Sequence, residues 1–206
     1  MIIEIHHEHP QPRRITEALR RMGTRAGLIA YPTDTVYAIG CRVRDKDAVS
    51  QLQRLKAERG EGGLWSIIGP DLSAISEYAV VEGPAYRVLR RALPGAFTFV
   101  LRATKQVPKL LQTRQKTIGV RVPDSAVALA LCEALGGVMV TTSAKGPEGQ
   151  LLTTPREIEE HYRGKVKVIL DAGALAPQPS TVVDLTTTPP EVLRNGAGDL
   201  GPIGLE

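Results

Sequence analysis

The stretch GLIAYPTDTVYAIGC, residues 27–41, decides how this chain is organised. Its first five residues are compact and mostly apolar, which reads as a short buried strand. Pro32 stops that strand, because proline fixes its own backbone angle and brings no N–H to a ladder. Thr33, Asp34 and Thr35 then make a turn. Pro32 stiffens the strand exit, Asp34 is placed to brace the turn, and two hydroxyls are left in fixed positions. Such a turn is either an ordinary hydroxyl turn or a cradle for phosphate oxygens. Residues 36–41 read as the next strand.

The same grammar extends in both directions. Upstream, residues 2–5 form a short strand. Pro10 and Pro12 precede a helix with Ile15, Leu19 and Met22 at i, i+4 and i+7, ended by residues 23–27. Downstream, Asp45 or Asp47 caps a helix whose apolar positions are Val49, Leu52 and Leu55. A glycine-rich loop over residues 60–63 leads to a strand at 64–68. Helices are expected at 71–78, 84–92, 126–135 and 155–162, and strands at 97–101, 117–122, 138–142, 166–170, 181–184 and 192–194. Strands alternate with helices without a strict repeat, which favours an α/β layered fold with a mixed sheet. With 206 residues and no linker of boundary quality, one domain over residues 1–206 is expected.

Composition narrows the function classes. No apolar run approaches the roughly 18 residues of a membrane span. The start, MIIEIHHEHP, has no charged leader followed by a long apolar segment, so a soluble cytosolic protein is expected. Cys41 and Cys132 have no partner at metal-ligand spacing and read as buried small hydrophobes. His6, His7 and His9 have no supporting Cys or Asp set and read as surface residues, not a metal site. No G-x-S-x-G, H-E-x-x-H or Walker A sequence is present, which removes support for those hydrolase, zinc-protease and P-loop readings. The formal net charge is +4, an excess that suits a phosphate-rich partner. Aromatic content of 4% leaves few platforms for base stacking.

Several strands run into hydroxyl-rich or basic segments, and ligands in α/β sheets gather where strands end and loops converge. Lys56 and Arg59, at i, i+3, close the helix pattern of Val49, Leu52 and Leu55 either as a basic helix terminus or facing a phosphate chain. Arg121 sits between Val120 and Val122 and points opposite to them. A guanidinium in an apolar strand is either paired structurally or aimed at an anion. Thr141-Thr142-Ser143 closes one strand and Ser180-Thr181 opens another.

Taken in order, YPTDTVYAIGC at 31–41, PGAFTFVL at 94–101, KTIGVRVP at 116–123, TTSA at 141–144, STVVD at 180–184 and LRNG at 193–196 resemble the YrdC-like superfamily over nearly the whole chain. The ending GAGDLGPIG, the Tyr-Ala-Ile-Gly form of the first motif and the N-terminal histidines look more like its YciO branch than its principal synthase. The resemblance implies a twisted mixed sheet flanked by helices with a large basic concave surface. It implies a nucleotidyltransferase chemistry in which L-threonine, bicarbonate and ATP, accompanied by Mg2+, give L-threonylcarbamoyladenylate and pyrophosphate for threonylcarbamoyladenosine modification of tRNA. Double-stranded RNA and tRNA are the implied macromolecular partners. By the same resemblance, Thr33, Thr35, Lys56, Arg59, Ser143 and Thr181 line the nucleotide and phosphate region. Thr117 and Arg121 hold the threonyl carboxylate or a phosphate, and Arg194 closes the site. Lys56, Arg59, Arg121 and Ser143 would form the catalytic set.

Two departures from the synthase pattern stand out. Lys56-Ala-Glu-Arg59 is one residue longer than the family's Lys-x-Arg and lacks the proline that follows it. Ser143-Ala-Lys145 puts an ammonium where the family has a neutral Asn. Lysine donates hydrogen bonds but accepts none, so Lys145 suits a phosphate and loses an acceptor for substrate. The alternative to a synthase is therefore a double-stranded RNA or tRNA-binding module with little or no synthase activity.

Overall fold

The structure, a computed structural model, describes residues 1–60, 63–111 and 113–205. Ten strands form one sheet: β1 (Ile2–Glu4), β2 (Ile29–Tyr31), β3 (Ala38–Arg42), β4 (Ser66–Ile68), β5 (Phe97–Arg102), β6 (Thr117–Arg121), β7 (Met139–Ser143), β8 (Val168–Asp171), β9 (Thr181–Asp184) and β10 (Glu191–Arg194). Their spatial order is β1-β8-β2-β3-β7-β4-β6-β5-β9-β10. β1/β8, β2/β8, β4/β6 and β5/β9 pair in parallel; the other five pairs are antiparallel. The sheet is thus mixed, as the irregular strand and helix alternation predicts.

The helices are α1 (Pro12–Met22), α2 (Lys46–Glu58), α3 (Leu72–Ser76), α4 (Gly83–Ala92), α5 (Ala126–Ala134) and α6 (Pro155–His161). α1 begins with Pro12, buries Ile15, Ala18 and Met22, and stops at Gly23 with φ +82°, a conformation that glycine adopts freely. Asp45, rather than Asp47, caps α2 by accepting from the Ala48 N–H at 3.0 Å. Thr154 and Glu157 form a reciprocal capping box at the start of α6. α1 packs on β1, β8 and α5; α2 packs on β3; α6 packs on β8.

The core holds Tyr31, Tyr37, Phe99, Met22, Leu52 and Ile67 among its fully buried side chains. Cys41 and Cys132 are both buried and unpaired with each other, and burial pushes each thiol up to about 12. Among the described residues, no helix is long and apolar enough to cross a membrane, and no group of His, Cys, Asp and Glu is placed to hold a metal ion.

The starts of β2, β3, β4, β7, β8 and β10 differ from expectation by one or two residues, and the first two have a local cause. β2 begins at Ile29 because Gly27 is pressed against the end of α1, where a Cβ would clash with the Met22 carbonyl oxygen. β3 begins at Ala38 because the Val36 carbonyl is taken by the turn before it, accepting the Thr33 hydroxyl at 2.7 Å. Of the glycine loop expected at 60–63, residues 61 and 62 lie outside the described residues.

Candidate functional site

Strand register decides where the site forms. Ser143 lies opposite Ala38 and Thr141 opposite both Gly40 and Ser66, while Ser66 faces Gly119 and Ile68 faces Arg121. Thr98 pairs with Val182. Directly paired residues share a face, and alternate residues along a strand share it too. Small, hydroxylic and cationic side chains from six strands therefore stand on one side of the sheet. They floor a cavity of about 220 Å3 lined by Thr33, Lys56, Ser66, Thr98, Arg121, Thr141, Thr142, Ser143, Lys145, Ser180 and Arg194, with apolar walls from Val36, Ala38, Leu64, Ile68 and Val182. The site expected at strand tips is instead spread over the face of the sheet.

Two glycines make room for that floor. A Cβ on Gly119 would meet the Ser66 hydroxyl at 2.6 Å and the Trp65 carbonyl oxygen at 3.2 Å. A Cβ on Gly40 would lie 3.1 Å from the Tyr31 ring. That ring passes over β3, and its hydroxyl reaches Thr141 at 2.8 Å. Tyr31 is fully buried, and desolvation raises its phenol far above the ordinary tyrosine value, so it is a neutral strut.

Arg121 is the most constrained cation. Its Nη2 donates to Asp34 Oδ1 and its Nη1 to Thr35 Oγ1 at 2.9 Å. The remaining Nε–H is buried and has no hydrogen-bond partner. The paired reading of this residue is the one the contacts show: one edge is held by Asp34 and Thr35, and the Nε–H has no protein partner. Burial pulls the guanidinium below its ordinary value, and the Asp34 carboxylate opposes that. Asp34 is consequently the counter-ion of Arg121, not the brace of its own turn. The brace is the Thr33 hydroxyl, which accepts from the Thr35 and Val36 N–H groups at 3.2 Å each and lies 3.0 Å from the Thr35 hydroxyl.

Arg194 approaches from β10. Its Nε and Nη2 donate to the Ser180 carbonyl at 3.0 and 2.8 Å, and Ser180 Oγ lies 2.9 Å from Thr98 Oγ1. Its guanidinium is lowered first by burial and then by the nearby charge of Arg121. Lys56, 8% exposed, donates to the Leu64 carbonyl at 3.0 Å and sits 4.4 Å from the Trp65 ring centre, a cation–π contact. Among the described residues, the cavity lining holds four cations and no carboxylate. The charge of Arg121 still acts on Arg194 despite the Asp34 pairing, so the hollow keeps a cationic character.

The chain matches the Sua5/YciO/YrdC family, described as telomere recombination, over residues 21–196. It belongs to that family. YciO of Escherichia coli strain K12 is 40% identical over 200 residues, with 96% of each chain covered. The crystal structure of E. coli YciO superposes with a TM-score of 0.89 at 39% identity over 98% of both chains. The threonylcarbamoyl-AMP synthase of Chromobacterium violaceum is 34% identical over 181 residues, covering 85% of this chain and 93% of the synthase. P. abyssi Sua5 complexed with L-threonine has a TM-score of 0.81 at 28% identity, over 95% of this chain and 57% of Sua5. The mixed ten-stranded sheet is thus the Sua5/YciO/YrdC fold.

Within this family frame, the sequence-predicted residues separate into two groups. Thr33, Lys56, Arg121, Ser143, Lys145 and Arg194 come together at the cavity. Thr35, Arg59, Thr117 and Thr181 are not among its lining residues. Thr35 holds Arg121. Arg59 turns to the rim and donates to the Ser143 carbonyl at 3.3 Å and the Tyr162 hydroxyl at 2.8 Å. Thr117 stands at the other end of β6 from Arg121, with its hydroxyl 3.0 Å from that of Thr113. Thr181 is fully buried, donating to the Gly198 carbonyl at 2.8 Å and accepting from the Gly196 N–H at 3.0 Å, so it fastens the C-terminal segment. Its neighbour Ser180 lines the cavity instead, a one-residue difference that reverses the face. Ser66, Thr98, Thr141 and Thr142 complete the lining. Thr141 and Thr142 were named in the sequence as part of a strand end, while Ser66 and Thr98 were not; for Thr98, the alternation with Phe97 and Phe99 is a signal that could have found it.

Proposed function

We propose that this chain binds ATP, with its accompanying Mg2+, together with L-threonine in the cavity, and forms L-threonylcarbamoyladenylate by nucleotidyl transfer. The observation that carries this reading is the convergence of Lys56, Arg121, Lys145 and Arg194 on one hydroxyl-floored hollow without a lining carboxylate among the described residues. Relatives named threonylcarbamoyl-AMP synthase at 34% identity and a Sua5 structure complexed with L-threonine support the choice of substrates.

The chemistry fits such a site. The threonine amine combines with bicarbonate, losing water, to give a carbamate. A carbamate oxygen attacks the α-phosphorus of ATP, the bond from that phosphorus to the bridging oxygen breaks, and pyrophosphate leaves. Both reactants are anions, so the protein's work is to offset their repulsion and hold them in line. Lysine and arginine lower that repulsion, and the hydroxyls of Ser66, Thr98, Thr141 and Ser143 donate to oxygens as charge moves. No covalent protein nucleophile is needed. Mg2+ prefers oxygen ligands, carboxylates and phosphates above all. The lining supplies hydroxyls and cations and, among the described residues, no carboxylate, so Mg2+ would be held through the triphosphate and would supply charge neutralisation there.

The test is pyrophosphate release from ATP that requires L-threonine and bicarbonate together. Release above an Arg121→Ala control is expected. Nucleotide binding without release, joined to RNA binding that weakens steeply with salt, would replace this reading with that of a tRNA or double-stranded RNA-binding module.

A further inference from the structure

Tyr162 follows α6 directly and is 2% exposed. A phenol has one O–H to donate and two lone pairs to accept. All three are used at one place. The Tyr162 hydroxyl donates to the Lys145 carbonyl at 2.5 Å, accepts from the Lys145 N–H at 3.3 Å, and accepts from Arg59 Nη1 at 2.8 Å. The ring is held edge-on by His161, with centroids 4.6 Å apart.

We infer that Tyr162, with Arg59, is a positioning residue that sets the direction of the Lys145 side chain into the cavity. The N–H and the C=O of Lys145 belong to the two peptide planes that flank its Cα. Holding both planes with one rigid phenol removes both backbone rotations there, so the side chain leaves the rim in one direction. Arg59 secures the preceding residues of the same rim, reaching the Ser143 carbonyl at 3.3 Å and Thr142 Oγ1 at 3.4 Å. The rim is closed on its other side by the Leu152 N–H on the Ala144 carbonyl at 3.0 Å and the Ala144 N–H on the Tyr37 carbonyl at 2.8 Å. Arg59 therefore acts on the anion site through the rim, which accounts for its place outside the lining. The functional consequence rests on the reading of the cavity as an anion site; the clamp itself does not.

Two measurements test this with Tyr162→Phe, which removes one oxygen and keeps the ring packed. In the ligand-free protein, the Lys145 amide is expected to exchange with solvent about tenfold faster, with the β3 amides unchanged. Unchanged exchange at Lys145 overturns the clamp. In titrations with inorganic tripolyphosphate, Tyr162→Phe is expected to weaken binding about five- to tenfold in the wild-type background and not at all in a Lys145→Ala background. A tyrosine that only stabilises the fold lowers the melting temperature in both backgrounds and weakens binding equally in both, and that result overturns the inference. If the wild type itself binds no tripolyphosphate, the anion-site reading fails, and amide exchange alone decides the clamp.

Discussion

Arg121 and Val122 are neighbours on the chain, yet they serve two different hollows. Arg121 reaches the 220 Å3 cavity on the sheet face. Val122 lines a groove of about 580 Å3 formed by Leu72 and Ser76 of α3, Tyr86 and Arg90 of α4, Leu93 just after it and Leu129 of α5. The groove is larger and mostly apolar, while the cavity is smaller and cationic. The difference teaches that space alone does not mark a site in this fold. A floor of hydroxyls and cations requires several strands in register, whereas a groove between helices needs only imperfect packing.

Predictions that break or sharpen this contrast run from large to small. Arg121→Ala removes the hub of the cavity and leaves Asp34, whose side chain is 12% exposed, without its partner. Breaking such a pair costs about 3–5 kcal/mol, measurable by urea denaturation, with loss of ATP binding in titration calorimetry. Near-wild-type stability would mean that the pair is solvated and the cavity more open than the contacts describe. Gly119→Ala places a methyl 2.6 Å from the Ser66 hydroxyl. Overpacking of this kind costs about 1–3 kcal/mol and should displace Ser66 and weaken ATP binding, while a probe of the groove near Tyr86 senses no change. Equal perturbation of both hollows would show that they are mechanically one unit.

Lys145→Ala tests the cationic character directly. Loss of one charge-assisted contact is expected to weaken tripolyphosphate binding about tenfold, with the difference shrinking as salt screens the charge. Tyr86, 45% exposed on the groove, sets the lower bound. Tyr86→Ala is expected to change stability by less than about 0.5 kcal/mol and to leave ATP binding unaltered in the same titration. A clear loss of nucleotide affinity would give the groove a part in the site.

Much of this architecture is legible from local pattern. The strand, turn and strand at 27–41, an aspartate cap at 45 or 47 and the Pro12 and Gly23 limits of α1 follow from backbone chemistry that acts within a few residues. Lys56, Arg121 and Ser143 were legible as candidates from their places at a helix end, in an apolar strand and at a strand end, and Lys145 only through the family resemblance. Their association was not legible in the same way. Thr117 and Arg121 lie on one strand, and yet one belongs to the cavity and the other to the Thr113 turn.

Local sequence, then, determined which segments extend, coil or turn, since those preferences come from sterics and hydrogen bonds between near neighbours. Tertiary structure alone decided that Ser180 and not Thr181 faces the cavity, that Asp34 pairs with Arg121, and that Arg59 grips the rim under Tyr162. Those outcomes depend on inter-strand register and on contacts between residues 14 to 103 positions apart. Such contacts form only when the whole sheet closes its pairing and buries its charged groups against specific partners.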